Sequence, residues 1–253
     1  MINYIESSQN KIIKQVNGLK LKKERDKTGL FIAEGTRLVK DIGSAVKYII
    51  ISEDYKEDIS EFDTVYCVSR ALFDKISDTV NPQGILAVCE IKDYNIDDAF
   101  KKENPFLIIL EDISDPGNMG TVIRTCDAGG VDGIILTKGC VDIYNPKVVR
   151  STMGSLFHLP IYRNQSIDNV LKKCSQHSII TVSAHLKGNY TPYDVDMTKG
   201  CAILIGNEAR GLKDSTAEQT STLVKIPMPG KAESMNAAVA AAILIYEGVR
   251  QRL

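Results

Sequence analysis

The sequence predicts an α/β protein in two parts: a small N-terminal α/β domain over residues 1–95 and a larger α/β domain over 105–253, joined by a linker at 96–104. Three observations point there. Short β-branched or apolar runs alternate with amphipathic stretches along the whole chain, the pattern of strands and covering helices. The linker is polar and runs into an Asn-Pro step at Asn104-Pro105. Beyond it, FLIIL and GIILT are unbroken apolar runs, as strands of a parallel sheet covered on both faces must be.

In chain order, Ser7 or Ser8 is placed to cap a first helix whose Ile12, Ile13, Val16 and Leu19 share one face. FIAEG reads as a strand, TRLVKDIG as a helix stopped by Gly43, and VKYIIIS as a β-branched strand. TVYCVS, RALFDKIS and GILAVCEI repeat strand, helix, strand. In the second domain Met119, Val122, Ile123 and Cys126 fall at i, i+3, i+4 and i+7, an amphipathic helix closed by Gly129. SIITVSA, CAILIG and LVKIPM supply later strands, and a small-residue helix runs from about Met235 to the end with Ser234 at its N-cap.

Composition narrows the function classes. Hydrophobic residues make up 43 % of 253, enough for a real core. MINYIESSQN has no apolar signal region, and the longest apolar run, Ala237 to Tyr246, is ten residues, too short to span a bilayer. A cytoplasmic protein without a membrane partner is expected. The six cysteines sit singly within apolar surroundings and read as buried thiols, and the three histidines have no ligand spacing, so no metal is expected. Net charge is −1, yet seven Lys/Arg against two acids lie between Lys11 and Lys27, whereas residues 41–104 carry seven basic and fourteen acidic residues. A basic stripe of that kind is either a solvated helix face or a phosphate contact.

Polar and glycine residues collect just after apolar strands, where open α/β sheets bind ligands. EDISDPGNMGTVIRT follows FLIIL: a turn at Asp115-Pro116-Gly117, Asn118 ahead of the helix, and Arg124 two turns on, a setting suited to an anion. IGNEARGL follows CAIL, with Gly206 and Gly211 around Asn207, Glu208 and Arg210. Its spacing approaches a P-loop, but Leu212 stands where the phosphate-binding lysine belongs, so nucleotide triphosphatase chemistry lacks its lysine. Nor does any G-x-G-x-x-G occur to suggest an ordinary dinucleotide fold. IPMPGKAESMNAAVAAAILIYEGV completes the set, an irregular Pro227, Pro229, Gly230 loop leading to Ser234 and Asn236 at the helix entry.

In that order, N-x-G-x-x-x-R (Asn118, Gly120, Arg124), G-N-E-x-x-G-L and I-P-M-x-G-x-x-x-S-x-N-A-A-x-A resemble the SpoU family of RNA ribose methyltransferases, over roughly residues 105–250. FIAEGTRLVK is similar to the substrate-binding domain that precedes many of them. The resemblance implies a C-terminal α/β trefoil knot that holds S-adenosylmethionine, with no metal, and methyl transfer to a ribose 2′-hydroxyl of RNA. Ribosomal RNA is expected ahead of transfer RNA. The cofactor would rest on Ser183 and Ala184, on Gly206, Asn207, Glu208 and Gly211, and on Ile226, Pro227, Met228, Met235, Asn236 and Ala237. Arg124, Asn118, Glu208, Ser234 and Asn236 would form the catalytic group. Arg124 would face the 2′-hydroxyl and its phosphate, and Glu208 would hold Arg124 or the ribose, or else pair with an arginine. The resemblance also implies a homodimer through the C-terminal domain. Lys11, Lys14, Lys20, Lys22, Lys23 and Arg25, with Arg124, would bind RNA phosphate. Relatives with S-E-G-x-G and S-L-N-V-S differ here, since Ala238 replaces the second serine. A non-catalytic RNA-binding protein of the same fold is the alternative, and a nucleotide-utilising α/β enzyme a third reading.

Overall fold

The computed structural model describes residues 2–253 as two units. One unit holds the chain up to Lys92 together with Asp142–Gly154, and the other holds Asp93–Val141 and Ser155–Leu253.

In the first unit β1 (Ile2–Ile5) leads to helices α1 (Lys11–Leu19) and α2 (Lys22–Thr28), then β2 (Leu30–Glu34) and α3 (Thr36–Asp41). β3 (Val46–Ser52), β4 (Val65–Val68), α4 (Arg70–Ile76) and β5 (Ile85–Glu90) follow. The strands make one mixed sheet in the order β1-β4-β3-β5-β2, parallel from β1 to β3 and antiparallel on both sides of β5. Helix α1 buries Ile13, Val16 and Leu19 and leaves Ile12 partly covered, so the i, i+3, i+6 positions face the core. Its cap is Asn10, whose side chain accepts from the Ile12 N–H at 2.8 Å; neither Ser7 nor Ser8 takes that place. Three candidate capping side chains stand within four residues of each other, and the backbone path selects the one nearest the first turn.

The segment Asp142–Gly154, expected inside the second domain, packs into this first unit through a short helix, Pro146–Ser151, that buries Val148 and Val149. It brings with it a correction at Arg25, read from sequence as a phosphate contact. Arg25 is 2 % exposed. Its guanidinium donates to the Leu19 and Lys20 carbonyls at 2.7 and 2.9 Å and to Asp142 Oδ2 at 2.7 and 3.0 Å. A cation buried to this degree, with four of its five N–H donors turned to the carbonyls at the end of α1 and to a carboxylate, is not presented to RNA.

The second unit starts earlier than residue 105. Within the expected linker, a 3-10 turn at Ile96–Phe100 sinks Ala99 and Phe100 into the core beside Leu107, Leu171 and Ala202. Then come β6 (Phe106–Leu110), α5 (Pro116–Ala128) and β7 (Gly133–Thr137), with α6 being the Pro146–Ser151 helix already described. β8 (Ile161–Gln165), α7 (Ile167–Gln176), β9 (Ile180–Ala184), β10 (Cys201–Ile205), α8 (Asp214–Glu218), β11 (Thr222–Val224) and α9 (Ala237–Arg252) complete it. The sheet is wholly parallel, in the order β11-β9-β10-β6-β7-β8. Every residue of β6, β7 and β10 is buried, which is why these segments read as continuous apolar runs. Five of the six cysteines are buried and Cys140 is half-buried. Burial pushes the Cys174 and Cys201 thiols up to about 12, which leaves them unreactive.

From β6 the chain order runs outward to β7 and β8, while on its other side lies β10, reached only after β9. The β6–β10 junction is therefore the switch point at which a parallel sheet opens a crevice beyond its strand ends.

Candidate active site

Two loops leave that junction side by side. After β6, Asp115 accepts from the Asn118 N–H at 2.8 Å and caps α5. Asn118 thus lies inside the first turn, not ahead of the helix as the sequence suggested. After β10, Asn207 and Gly211 pair backbone to backbone at 3.1 and 2.8 Å, while Asn207 Oδ1 accepts from the Ala209 and Arg210 N–H groups. This tight loop needs its glycines. Gly211 has φ +70, and a Cβ on Gly206 would sit 2.2 Å from the Leu212 nitrogen. The second site loop is thereby folded back on itself with a bare backbone facing the crevice.

Glu208 joins the loops. Its carboxylate accepts from the N–H and Oγ of Ser114 at 3.2 and 3.1 Å, from the Asp115 N–H at 3.0 Å and from Asn118 Nδ2 at 3.1 Å. Burial pushes this carboxyl up, but the donors from Asp115, its own backbone, Asn118 and Ser114 outweigh burial and bring it down to about 2. The expected pairing of Glu208 with Arg124 or Arg210 is absent among the described residues; the carboxylate closes on the start of α5 instead. Asn118 continues the chain of contacts by accepting at Oδ1 from Asn236 Nδ2 at 2.9 Å. Asn236 in turn caps α9, accepting from the Ala238 and Val239 N–H groups, so the helix begins at Ala237 and Ser234 lies outside it. The three sequence motifs are therefore joined by one line of side chains, Glu208–Asn118–Asn236.

Beside this line lies a cleft of about 430 Å³. Of the residues expected to hold the cofactor, Ala184, Gly206, Asn207, Glu208, Gly211, Ile226, Met228, Met235 and Ala237 line it, and so does Ser234. Three others do not. Ser183 is fully buried and donates to Thr220 Oγ1 at 2.9 Å, which takes its side chain out of reach of any ligand. Pro227 and Asn236 stand beside the cleft, not in its wall. Arg124, exposed on α5, is also absent from the lining. His185, Lys187 and Lys225, within three residues of the ends of β9 and β11, and Glu233 also line the cleft, although no motif in the sequence marks them. The rule that found the other loops, polar residues just beyond strand ends, applies equally to the first three.

The cleft meets the demands of S-adenosylmethionine. Its size suits a small ligand, its wall is apolar at Ile226, Met228 and Met235, and at Gly206 the close approach of two backbones leaves no space for a side chain. On the first unit, Lys11, Lys14, Lys22 and Lys23 are exposed, whereas Lys20 is partly covered and donates to the Ser77 carbonyl at 3.0 Å.

The chain is similar to known proteins over both of its units. Residues 105–246 match the SpoU rRNA Methylase family and residues 10–87 match the MRM3-like substrate binding domain. The 23S rRNA (guanosine(2553)-2′-O)-methyltransferase RlmP of Bacillus subtilis is 34 % identical over 248 residues, 96 % of this chain and 97 % of its own. A 23S rRNA (uridine(2479)-2′-O)-methyltransferase of Streptomyces viridochromogenes is 36 % identical over 177 residues, 68 % of this chain and 62 % of its own. An AdoMet-bound rRNA methyltransferase from Sinorhizobium meliloti superposes with a TM-score of 0.89 at 32 % identity, covering 100 % of this chain and 99 % of that one. With both parts of its sequence and its whole fold matched, the chain belongs to the SpoU rRNA methylase family.

Proposed function

We propose that this protein transfers a methyl group from S-adenosylmethionine to a ribose 2′-hydroxyl of ribosomal RNA, and that it does so as a homodimer. The observation that carries the reading is the cleft of about 430 Å³ built from the Gly206–Gly211 loop and residues 226–237 and tied to α5 through Glu208, Asn118 and Asn236. Gly206, Ile226, Met228 and Met235 would hold the cofactor. When bound, it supplies a methyl carbon activated by a positive sulfonium. The chain has to place the 2′-oxygen in line and stabilise the negative charge that develops on it. Arg124 serves the second need as a permanent cation; a guanidinium is a poor base, so the proton leaves to phosphate or solvent.

Arg124 does not line the cleft of its own chain, which favours an acceptor site drawing on two subunits. Val239 and Tyr246, each about half exposed on α9, offer apolar surface for such pairing. The second unit is read as a trefoil knot, in which the segment after β9 lies tight against the end of β11: a Cβ at Gly188 would lie 2.6 Å from the Val224 carbonyl carbon and 2.8 Å from the Lys225 nitrogen. Only glycine lets two segments pass so closely.

The test uses tritiated S-adenosylmethionine with ribosomal RNA, and separately transfer RNA, from cells lacking the protein. Label should enter ribosomal RNA and survive alkali as resistant dinucleotides, because a 2′-O-methyl group blocks cleavage. Arg124→Ala should lower turnover about 100-fold with cofactor affinity unchanged. Label released by alkali as mononucleotides would place the methyl on a base and refute ribose transfer.

A further inference from the structure

The lysine that a phosphate-binding loop would need at Leu212 stands one position later, at Lys213, where the methyl-transfer chemistry gives it no part. Its ammonium is engaged elsewhere. Nζ lies 2.7 Å from Asp112 Oδ2 and 3.7 Å from Glu111 Oε1, the two residues that follow β6. Those residues and the Gly206–Gly211 loop belong to the same unit and meet at the β6–β10 junction.

Glu111 is the buried anchor of this arrangement. Its N–H donates to the Ile205 carbonyl at 2.9 Å, which carries the β6–β10 pairing up to the start of the loop. Its carboxylate accepts from the Lys213 N–H at 3.1 Å and from Thr216 Oγ1 at 2.8 Å. One residue therefore holds the chain as it enters the loop and again as it leaves.

Asp112 takes a strained backbone to reach the same place. Its φ is +56, in the left-handed region that Asp and Asn enter more readily than most side chains. Such a conformation persists where the surroundings fix it, and here four contacts do so. Its N–H donates to Thr137 Oγ1 at 3.0 Å, and that hydroxyl donates back to Oδ1 at 2.9 Å. Its carbonyl accepts from Asn207 Nδ2 at 2.8 Å, and Oδ2 takes the Lys213 ammonium. A Cβ at Gly139 would collide with Oδ1, so the glycine leaves the carboxylate its place. The Lys213 ammonium holds the Asp112 carboxyl below the usual carboxylate range, against burial that would raise it. Asn207 and Lys213 stand at the two ends of the loop, and both are fastened to Asp112. Between them lie Glu208, Ala209, Arg210, Gly211 and Leu212, all of which line the cleft.

We propose that Asp112 and Lys213 are positioning residues for the cofactor, their ion pair latching the far end of the Gly206–Gly211 loop in the shape that binds it. Neither residue lines the cleft, so their effect passes through the loop backbone. The Lys213 side chain reaches Asp112 from solvent, so this tie can be cut without opening the core. That the loop receives S-adenosylmethionine rests on the function proposed above; that the ion pair holds the loop does not.

Hydrogen exchange of the full chain, with no ligand added, reads the loop directly. In Lys213→Met and in Asp112→Asn the Asn207 and Gly211 amides should exchange about fivefold faster than in wild type, with those of β6 and β10 unchanged. Asparagine accepts the left-handed backbone, so Asp112→Asn removes the charge and keeps the chain path. Calorimetric titration should show S-adenosylmethionine bound about fivefold more weakly by each single variant and no more weakly by the double variant, since both changes break one contact. Lys213→Arg, which keeps the cation, should recover most of that loss. In methyl-transfer assays the two single variants should raise KM for S-adenosylmethionine and leave KM for RNA as it is. Loop amides exchanging at wild-type rates, faster exchange without weaker cofactor binding, or single losses that add in the double variant would each overturn the proposal. A wild-type chain that does not bind S-adenosylmethionine would instead refute the proposed function, and the exchange rates would still decide whether the ion pair holds the loop.

Discussion

Replacing Glu208 by Gln tests whether the site is held together by one carboxylate. The wild-type carboxylate receives donors from Ser114, Asp115 and Asn118 on two segments far apart in sequence. A glutamine keeps one acceptor oxygen and turns an NH2 group toward the remaining donors, so at least one of these contacts becomes donor against donor. Its ordinary value of 4.5 falls to about 2 in the fold, which corresponds to about 3 kcal/mol before screening. The group is partly exposed, and solvent reduces that to about 1–2 kcal/mol. In a chain of this length the melting temperature should fall by about 2–8 °C at neutral pH. The pH dependence has a definite sign. A carboxyl depressed in the folded state stabilises fully above its unfolded value and ceases to do so as pH falls from about 4.5 towards 2. Calorimetry of wild type and Glu208→Gln near pH 8, 6, 4 and 3 should therefore show a constant gap at the first two and a shrinking gap at the last two. A gap of the same size at every pH would mean that charge at Glu208 does not hold the loops, and the reasoning fails.

Arg25→Ala should destabilise the first unit by about 3 kcal/mol, because it strands a nearly buried Asp142 and two helix-end carbonyls; urea unfolding followed by CD measures this, and an unchanged midpoint would return Arg25 to the surface. Lys11, Lys14, Lys22 and Lys23, changed together to Ala, should weaken RNA binding and flatten its salt dependence by up to about three in log–log slope, read by filter binding between low and moderate salt. An unaltered slope would make this stripe an ordinary solvated face.

How much of this was legible depended on how local the cause was. β6, β7 and β10 were plain because burial on both faces leaves only apolar residues, and that shows within five positions. Glycine spacing likewise exposed the Gly206–Gly211 loop. Arg25 could not be told from its neighbours, because the partner that sets its fate, Asp142, lies 117 residues away. The excursion of Asp142–Gly154 was hidden for the same reason: Val148 and Val149 announce a buried helix, but nothing in NPKVVRS says which core receives them. Caps fell between these cases. Ser234 and Asn236 are both good capping residues, and only the path of the chain into α9 decides for Asn236.

The same distinction bears on what the shared polar residues do. Asn118 and Asn236 look like catalytic groups in sequence, yet in the fold Asn118 donates from Nδ2 to Glu208 and accepts at Oδ1 from Asn236 Nδ2, and Asn236 accepts at its own Oδ1 from the N–H groups at the start of α9. Side chains tied to each other in this way would act on a ligand by setting where Gly206, Met228 and Met235 stand. Asn118→Ala should then lower S-adenosylmethionine affinity and turnover together, by about tenfold each, since losing one such hydrogen bond costs about 1–2 kcal/mol. Arg124→Ala, by contrast, should lower turnover alone. Calorimetric titration of the cofactor against Asn118→Ala separates the two roles: full affinity with lost turnover would move Asn118 from the framework of the cleft to the reacting ribose.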